Sequence, residues 1–171
     1  MKETQMKTTR NLLTLFVVTA LVLPLAGCGG EILPDGMAPP VPTEIVVMQD
    51  GRPLEGAGVV LQPVDNSPWT AVGLTDAAGR AIVYTMDRHR GAVPGQYKVL
   101  VRKTEQEDAP ILSSEEANRL AAEGRLSAPS SFNLVDTQFG AASTTPLEIE
   151  AVRGTSTHTV DVGAAVRIRI P

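Results

Sequence analysis

Hydrophobic and polar residues alternate in short runs along the chain from residue 44 to its end. Tyr97, Val99 and Val101 alternate with Lys98 and Arg102, and this period of two indicates a strand with one face in a core. The same kind of run predicts strands over residues 44–48, 57–62, 69–75, 81–84, 96–102, 147–152, 157–162 and 166–170. Short, closely spaced strands of this kind are typical of an all-β protein.

Turn residues separate the predicted strands. Asp50-Gly51 and Pro94-Gly95 stand between strands, and both pairs are common in tight turns. Asp76 and Gly79 suit another turn, because an aspartate side chain accepts backbone hydrogen bonds and glycine readily adopts a positive φ. We therefore predict a seven- to eight-stranded, Ig-like β-sandwich rather than alternating βαβ units.

One short helix is predicted to interrupt the strands. Ser113 and Glu116 have the spacing of a capping box, and Gly124 suits the C-terminal cap. Leu120 and Ala121 are the apolar residues of this weakly amphipathic segment, so we expect it to contribute little to the core. The helix lies within residues 104–132, which we interpret as an insertion into the sandwich.

The first 27 residues have the pattern of an export signal. Lys2, Lys7 and Arg10 precede an uncharged apolar run from Leu12 to Leu23, and this order is typical of a secretory signal peptide. The run of about a dozen residues is shorter than the roughly 20 that cross a bilayer as a helix. We predict a signal peptide over residues 1–27.

Cys28 is the only cysteine of the chain and follows Leu25-Ala26-Gly27. This arrangement resembles the lipobox of bacterial lipoproteins, which implies cleavage between Gly27 and Cys28 and a covalent lipid on the Cys28 thiol. The alternative is a stray or buried thiol in an ordinary leader. The resemblance implies an exported, lipid-anchored protein of the cell envelope, and Gly29 in place of an inner-membrane retention aspartate favours the outer membrane.

Residues 28–43 are rich in glycine and proline and have no apolar periodicity. Such a composition is typical of a linker, and repeated prolines favour an extended chain. We predict a tether over residues 28–43 that leads into a single domain over residues 44–171, long enough to have its own core.

Three motifs resemble those of carboxypeptidase regulatory-like, or transthyretin-like (prealbumin-like), domains. They are Gly-Arg-Pro-Leu-Glu-Gly-Ala at 51–57, Thr-Asp-Ala-Ala-Gly at 75–79 and Pro-Gly-Gln-Tyr-Lys-Val at 94–99. The resemblance covers residues 45–102 and implies a seven-stranded sandwich that serves as an accessory domain without catalytic residues. Ala81 departs from the large aromatic residue that is usual there. Residues 167–171 also lack the Tyr-Arg-Gly-Ser ending of the related transthyretin-like hydrolase.

The charge of the chain argues against a nucleic-acid partner. The net charge is −4, and it becomes more negative without residues 1–27, which contain three basic residues and one acidic residue. Nucleic-acid binding depends on basic surfaces that neutralise phosphates. The membrane, reached through the lipid on Cys28, is the partner that the sequence predicts directly.

Trp69 and the loop Arg88-His89-Arg90 are the candidate ligand-binding residues. His89 stands in a polar stretch where acid–base or metal chemistry is conceivable, and the alternative that we favour is a solvated loop between strands. His158 is expected to be an exposed strand residue. Two isolated histidines do not supply the three or four ligands of a zinc site, so no metal site is predicted.

Other motifs for catalysis or cofactor binding are not found in the sequence. Glu105, Glu107 and Asp108 lack the spacing of a calcium loop, and no serine stands in a nucleophile motif. We expect no cofactor beyond the covalent lipid and no enzymatic activity. A cryptic hydrolase that uses His89 is the alternative among enzymes.

The predicted function is a non-enzymatic, lipid-anchored envelope module with a structural or protein-interaction role. The alternative is a lipoprotein that binds a small ligand or a glycan, because loops of β-sandwiches often carry such sites. The partner is thus expected to be an envelope protein or a glycan.

Overall fold

The computed structural model describes residues 32–108, 111–125, 129–154 and 157–170. Gly27 and Cys28 lie outside the described residues, as do the predicted signal peptide and the first four residues of the predicted tether. The described residues form an all-β sandwich with one α-helix and one 3-10 helix. The predicted fold class is therefore confirmed.

The described residues contain thirteen strand segments, several of them only two residues long. In chain order they are β1 (Glu44–Gln49), β2 (Arg52–Pro53), β3 (Gly58–Pro63), β4 (Ala71–Leu74), β5 (Arg80–Ile82), β6 (Tyr84–Thr85), β7 (His89–Arg90), β8 (Gly95–Arg102), β9 (Thr104–Gln106), β10 (Ser131–Asn133), β11 (Glu148–Ala151), β12 (Thr157–Asp161) and β13 (Ile168–Ile170). The helix α1 is Ser114–Ala122, and the 3-10 helix is Thr137–Gly140.

The strands form two main sheets and a small third sheet. The largest sheet has the order β11-β8-β3-β4-β6-β7, and its neighbours are antiparallel. In the second sheet β1 is parallel to its neighbour β12 and antiparallel to β2 and β5. The third sheet has the order β13-β10-β9.

The inward faces of the two main sheets supply one hydrophobic core. Ile45 and Val47 of β1 are fully buried, and so are Val59, Leu61 and Val99 of the large sheet. Alternate residues of these strands are more exposed, so the period-two pattern identifies the inward face correctly.

The predicted strand over residues 81–84 is divided between the two main sheets. Arg80–Ile82 pairs with β1, whereas Tyr84–Thr85 pairs with β4. Val83 lies between them, is fully buried, and donates its N–H to the Thr43 carbonyl. The chain therefore changes sheets at Val83, which the sequence pattern does not reveal.

Ala81 lies at a close approach between β4 and β5. A Cβ atom added to Gly73 would lie 2.8 Å from the Ile82 carbonyl oxygen and 3.3 Å from the Ala81 Cβ. Ala81 is itself fully buried. The absence of a side chain at Gly73 thus permits the close approach of β4 and β5.

The end of the predicted tether is part of the packed domain. Met37, Val41 and Thr43 are buried, and the backbone of Val41 exchanges hydrogen bonds with Ala92 at 2.8 and 3.1 Å. The packed domain therefore begins before residue 44, because the apolar side chains between the prolines reach the core.

The insertion is closed at its base by strand pairing. β9 and β10 pair with each other, and β10 also pairs with β13 near the end of the chain. Arg167 lies over the ring of Phe132, 3.6 Å from its centroid, and forms an ion pair with Glu105. The charged flank of the insertion is therefore part of a small sheet.

The helix begins and ends as its sequence predicts. The Ser113 side chain accepts a hydrogen bond from the Glu116 N–H. At the other end, Gly124 has a φ of +66°, and the Arg125 N–H donates to the Leu120 carbonyl. This arrangement is a Schellman cap.

None of the helices that the structure describes has the length and hydrophobicity of a membrane-spanning segment.

Candidate binding cleft beside Trp69

Trp69 lines a surface cleft of about 220 Å³ at one end of the large sheet. Its walls come from the end of β3, the loop that precedes β4, the start of β8 and the N-terminal segment that packs on the domain. The lining residues are Gly36, Ala38, Pro63, Asp65, Ser67, Trp69, Val93, Pro94, Gly95, Gln96 and Tyr97.

A chain of local hydrogen bonds positions Trp69. The Asp65 carboxylate accepts from the Ser67 N–H at 3.0 Å, and the Ser67 hydroxyl accepts from the Trp69 N–H at 3.4 Å. Asn66 has a φ of +61°, a conformation that asparagine tolerates better than most residues. The loop is tied to the sheet by the Val64 N–H, which donates to the Gln96 carbonyl at 3.0 Å.

Tyr97 forms the inner side of the cleft. Its side chain is buried, and its hydroxyl donates to the Val93 carbonyl at 2.7 Å. Burial and, to a lesser degree, the negative charge of Asp65 raise the pKa of Tyr97 to about 12. The phenol is therefore a neutral, fixed group at physiological pH.

The cleft combines one aromatic side chain with several polar groups. The half-buried indole of Trp69 offers a flat apolar surface, while Asp65, Ser67 and Gln96 offer carboxylate, hydroxyl and amide groups. A few polar groups beside an apolar surface are typical of small-molecule sites. The volume of about 220 Å³ is below the roughly 300 to 1,000 Å³ that is typical of ligand pockets, so the cleft can hold only a small group.

The other candidate residues, Arg88, His89 and Arg90, do not line this cleft. Arg88 and Arg90 are exposed, whereas His89 is only 2% exposed. His89 belongs to β7 and is paired with Thr85, so the prediction of a solvated loop at His89 is wrong. The strand pairing directs His89 inward beside the buried Thr85.

A tight hairpin accounts for the placement of these residues. Met86 and Asp87 both have positive φ values of 53° and 60°, which is the geometry of a type I′ hairpin turn. The sequence Met-Asp is unusual there, because such turns favour asparagine and glycine. For that reason the sequence pattern did not predict β7.

His158 is half-buried rather than exposed. It is the register partner of the buried Ile45 in the parallel pairing of β1 and β12, and its Nε2 atom is buried without a hydrogen-bond partner among the described residues. Among all the residues that the structure describes, no group of three or more His, Cys, Asp or Glu side chains is placed to hold a metal ion.

Trp69 could be identified as a candidate from the sequence, whereas the polar residues around it could not. Asp65 and Ser67 stand in Asp-Asn-Ser-Pro, a turn-forming stretch directly before Trp69. That signal could have indicated a structured loop beside the tryptophan. The N-terminal wall at Gly36 and Ala38 had no such signal.

Comparison with protein-family models, with curated proteins and with solved structures finds no match.

Proposed function

We propose that this chain is a non-enzymatic module of the bacterial cell envelope, anchored by a lipid on Cys28, that binds a partner protein. The anchor and the envelope location rest on the lipobox-like sequence Leu25-Ala26-Gly27-Cys28. The binding role rests on the outward face of the large sheet, where apolar side chains lie in register across four strands.

The apolar row consists of Leu100, Val60, Val72 and Tyr84. Val60 is paired with both Leu100 and Val72, and Val72 is paired with Tyr84. The first three are half-buried, and Tyr84 is 38% exposed. Leu74, which follows Val72 on the same face of β4, is 69% exposed. A contiguous exposed apolar surface on a folded domain is typical of an interaction site.

Charged residues border the apolar row on the same face. Lys98, two residues before Leu100 on β8, forms an ion pair with Glu148. Arg102, two residues after Leu100, is the register partner of Gly58 on β3. An apolar centre with a polar and charged rim is the usual composition of a protein–protein interface. The partner that matches this surface is therefore an envelope protein with an apolar patch bordered by charged side chains.

Photocrosslinking in intact cells tests this role. A photoreactive phenylalanine analogue replaces Tyr84 in the full chain, and the matched control carries it at Glu55, an exposed turn residue outside the row. We expect a discrete crosslinked species at position 84 only. The substitution Val72→Lys should remove most of it, whereas Thr159→Lys, on an exposed site of β12, should not. Equal crosslinking at both positions would contradict the proposal.

Glycan binding in the Trp69 cleft is the second candidate function. The observation that favours it is the half-buried indole beside a carboxylate, a hydroxyl and an amide. A glycan array with the full chain tests it, and Trp69→Ala should abolish any signal. The control is Phe132→Ala, which changes an aromatic residue of the small sheet. No signal from the unsubstituted chain would exclude this function.

A further inference from the structure

A second cleft, of about 390 Å³, lies between the end of β8, β10 and the 3-10 helix. Val101 and Val135, both buried, form its apolar base together with Ile170 of β13. Its volume is within the range of about 300 to 1,000 Å³ that is typical of ligand pockets. It shares no lining residue with the Trp69 cleft.

The backbone of the 3-10 helix holds Arg102 at this cleft. The Nε and Nη2 groups of Arg102 both donate to the Gly140 carbonyl oxygen. A Cβ atom at position 140 would lie 3.2 Å from Arg102 Nε, so a glycine there lets the guanidinium approach closely. The side chain is thus restrained before any ligand binds, which lowers the entropy cost of binding.

Two cationic groups at the cleft have unused hydrogen-bonding capacity. A guanidinium has five N–H donors, and those of Arg102 beyond the two on Gly140 have no partner among the described residues. Lys103 also lines the cleft, is half-buried, and forms no ion pair with any residue that the structure describes. A net charge in a cleft attracts a ligand of the opposite sign.

The charges of the cleft select a monoanion. Arg102 and Lys103 each contribute one positive charge, and Asp136 contributes one negative charge. The Asp136 carboxylate accepts from the Gln138 N–H and makes no ion pair with either cation within the described residues. The remaining charge of about +1 matches one carboxylate better than a doubly charged phosphate, and guanidinium groups bind carboxylates in a fixed geometry.

We propose that this cleft binds a small organic carboxylate that has an apolar body. The carboxylate lies against Arg102 and Lys103, and the apolar body lies on Val101, Val135 and Ile170. Thr104, Asn133 and Thr137 line the same cleft and offer hydrogen bonds to the carboxylate oxygens. This site shares Arg102 with the charged border of the apolar row, but its test at Lys103 does not depend on either candidate function above.

Titration of the isotope-labelled full chain with hexanoate and benzoate tests the site by NMR. Backbone amides of residues 101–104 and 133–141 should shift in a saturable way, while 1-hexanol and hexylammonium, of matched apolar length, should leave them unchanged. The Lys103→Met substitution should weaken binding by about tenfold, because it removes a charge-assisted contact. Lys98→Met, the same change on the neighbouring strand β8 outside the cleft, should not.

Each result of this titration decides the proposal. Saturable shifts that need both the carboxylate and Lys103 support it. Absence of shifts with either acid, equal shifts with 1-hexanol, or unchanged affinity in Lys103→Met would overturn it. If the Lys103→Met substitution disturbs the amide spectrum, Lys103→Gln tests the same loss of affinity.

Discussion

The hydroxyl group of Thr75 donates a hydrogen bond to the Leu54 carbonyl at 2.6 Å, across 21 positions of sequence. The same hydroxyl accepts from the Ala57 N–H at 2.7 Å. Thr75 is buried. One side chain therefore joins the turn at residues 51–57 to the turn at residues 75–79, which are two of the motifs in the predicted family resemblance.

Replacement of Thr75 by valine should destabilise the domain. Valine preserves the shape but leaves a buried carbonyl and a buried N–H without partners, so we expect a loss of roughly 1–3 kcal/mol for each unsatisfied group. Urea unfolding measures the change in the free energy of unfolding. Thr159→Val, at an exposed position of β12, is the control and should have little effect. Equal stability of the two variants would contradict the role of Thr75.

Gly91 should be essential for the packing of the N-terminal segment. Gly91 has a φ of +103°, and a Cβ atom there would overlap the Val41 carbonyl. We expect Gly91→Ala to displace Val41 and to expose residues 33–43 to limited proteolysis. Gly154→Ala is the control, because Gly154 has a φ of +95° but an added Cβ there would have no atom of the described residues within 4 Å.

The difference in unfolding free energy between these two variants distinguishes the steric overlap with Val41 from the strain of a positive φ. A non-glycine residue at positive φ costs roughly 1–3 kcal/mol by itself, and both variants bear that cost. Gly91→Ala should therefore lose more unfolding free energy than Gly154→Ala. Equal losses with an intact N-terminal segment would show that Val41 is not held by this contact.

Tyr97 should make the stability of the domain decrease at alkaline pH. Its pKa rises from 10.0 to about 12 on folding, so its stabilising contribution is complete below pH 10 and is lost as the pH rises through 12. The size of that contribution is roughly 2 to 3 kcal/mol. Tyr97→Phe is less stable near neutral pH because the Val93 carbonyl loses its donor.

Unfolding at several pH values compares the unsubstituted protein with the Tyr97→Phe variant. The stability difference between the two proteins should narrow from pH 10 to pH 12, because only the tyrosine ionises. A difference that stays constant over this range would contradict the raised pKa.

Local features of the fold could be predicted from the sequence. The alternation of Tyr97, Val99 and Val101 identified a buried strand face, and Ser113 and Gly124 identified the two ends of the helix. Each of these signals depends on neighbouring residues only. These features could therefore be predicted without knowledge of which strands pair.

The features that the sequence did not predict depend on distant contacts. The change of sheet at Val83, the burial of His89 and the packing of Val41 all involve partners far away in the chain or strands of two or three residues. Such short strands have no measurable period. For the candidate site, Trp69 was identifiable as the only tryptophan of the chain, whereas the walls of its cleft come from four separate segments.

The lipid on Cys28 is the claim on which the proposed function depends most, since it determines where the domain can meet a partner. Intact-mass spectrometry of the protein extracted from bacterial membranes measures it directly. We predict a chain that begins at Cys28 and carries a diacylglyceryl group, and we expect this lipid to be absent from the Cys28→Ser variant. An unmodified thiol in the membrane-extracted protein, or cleavage at another residue, would contradict the lipid anchor.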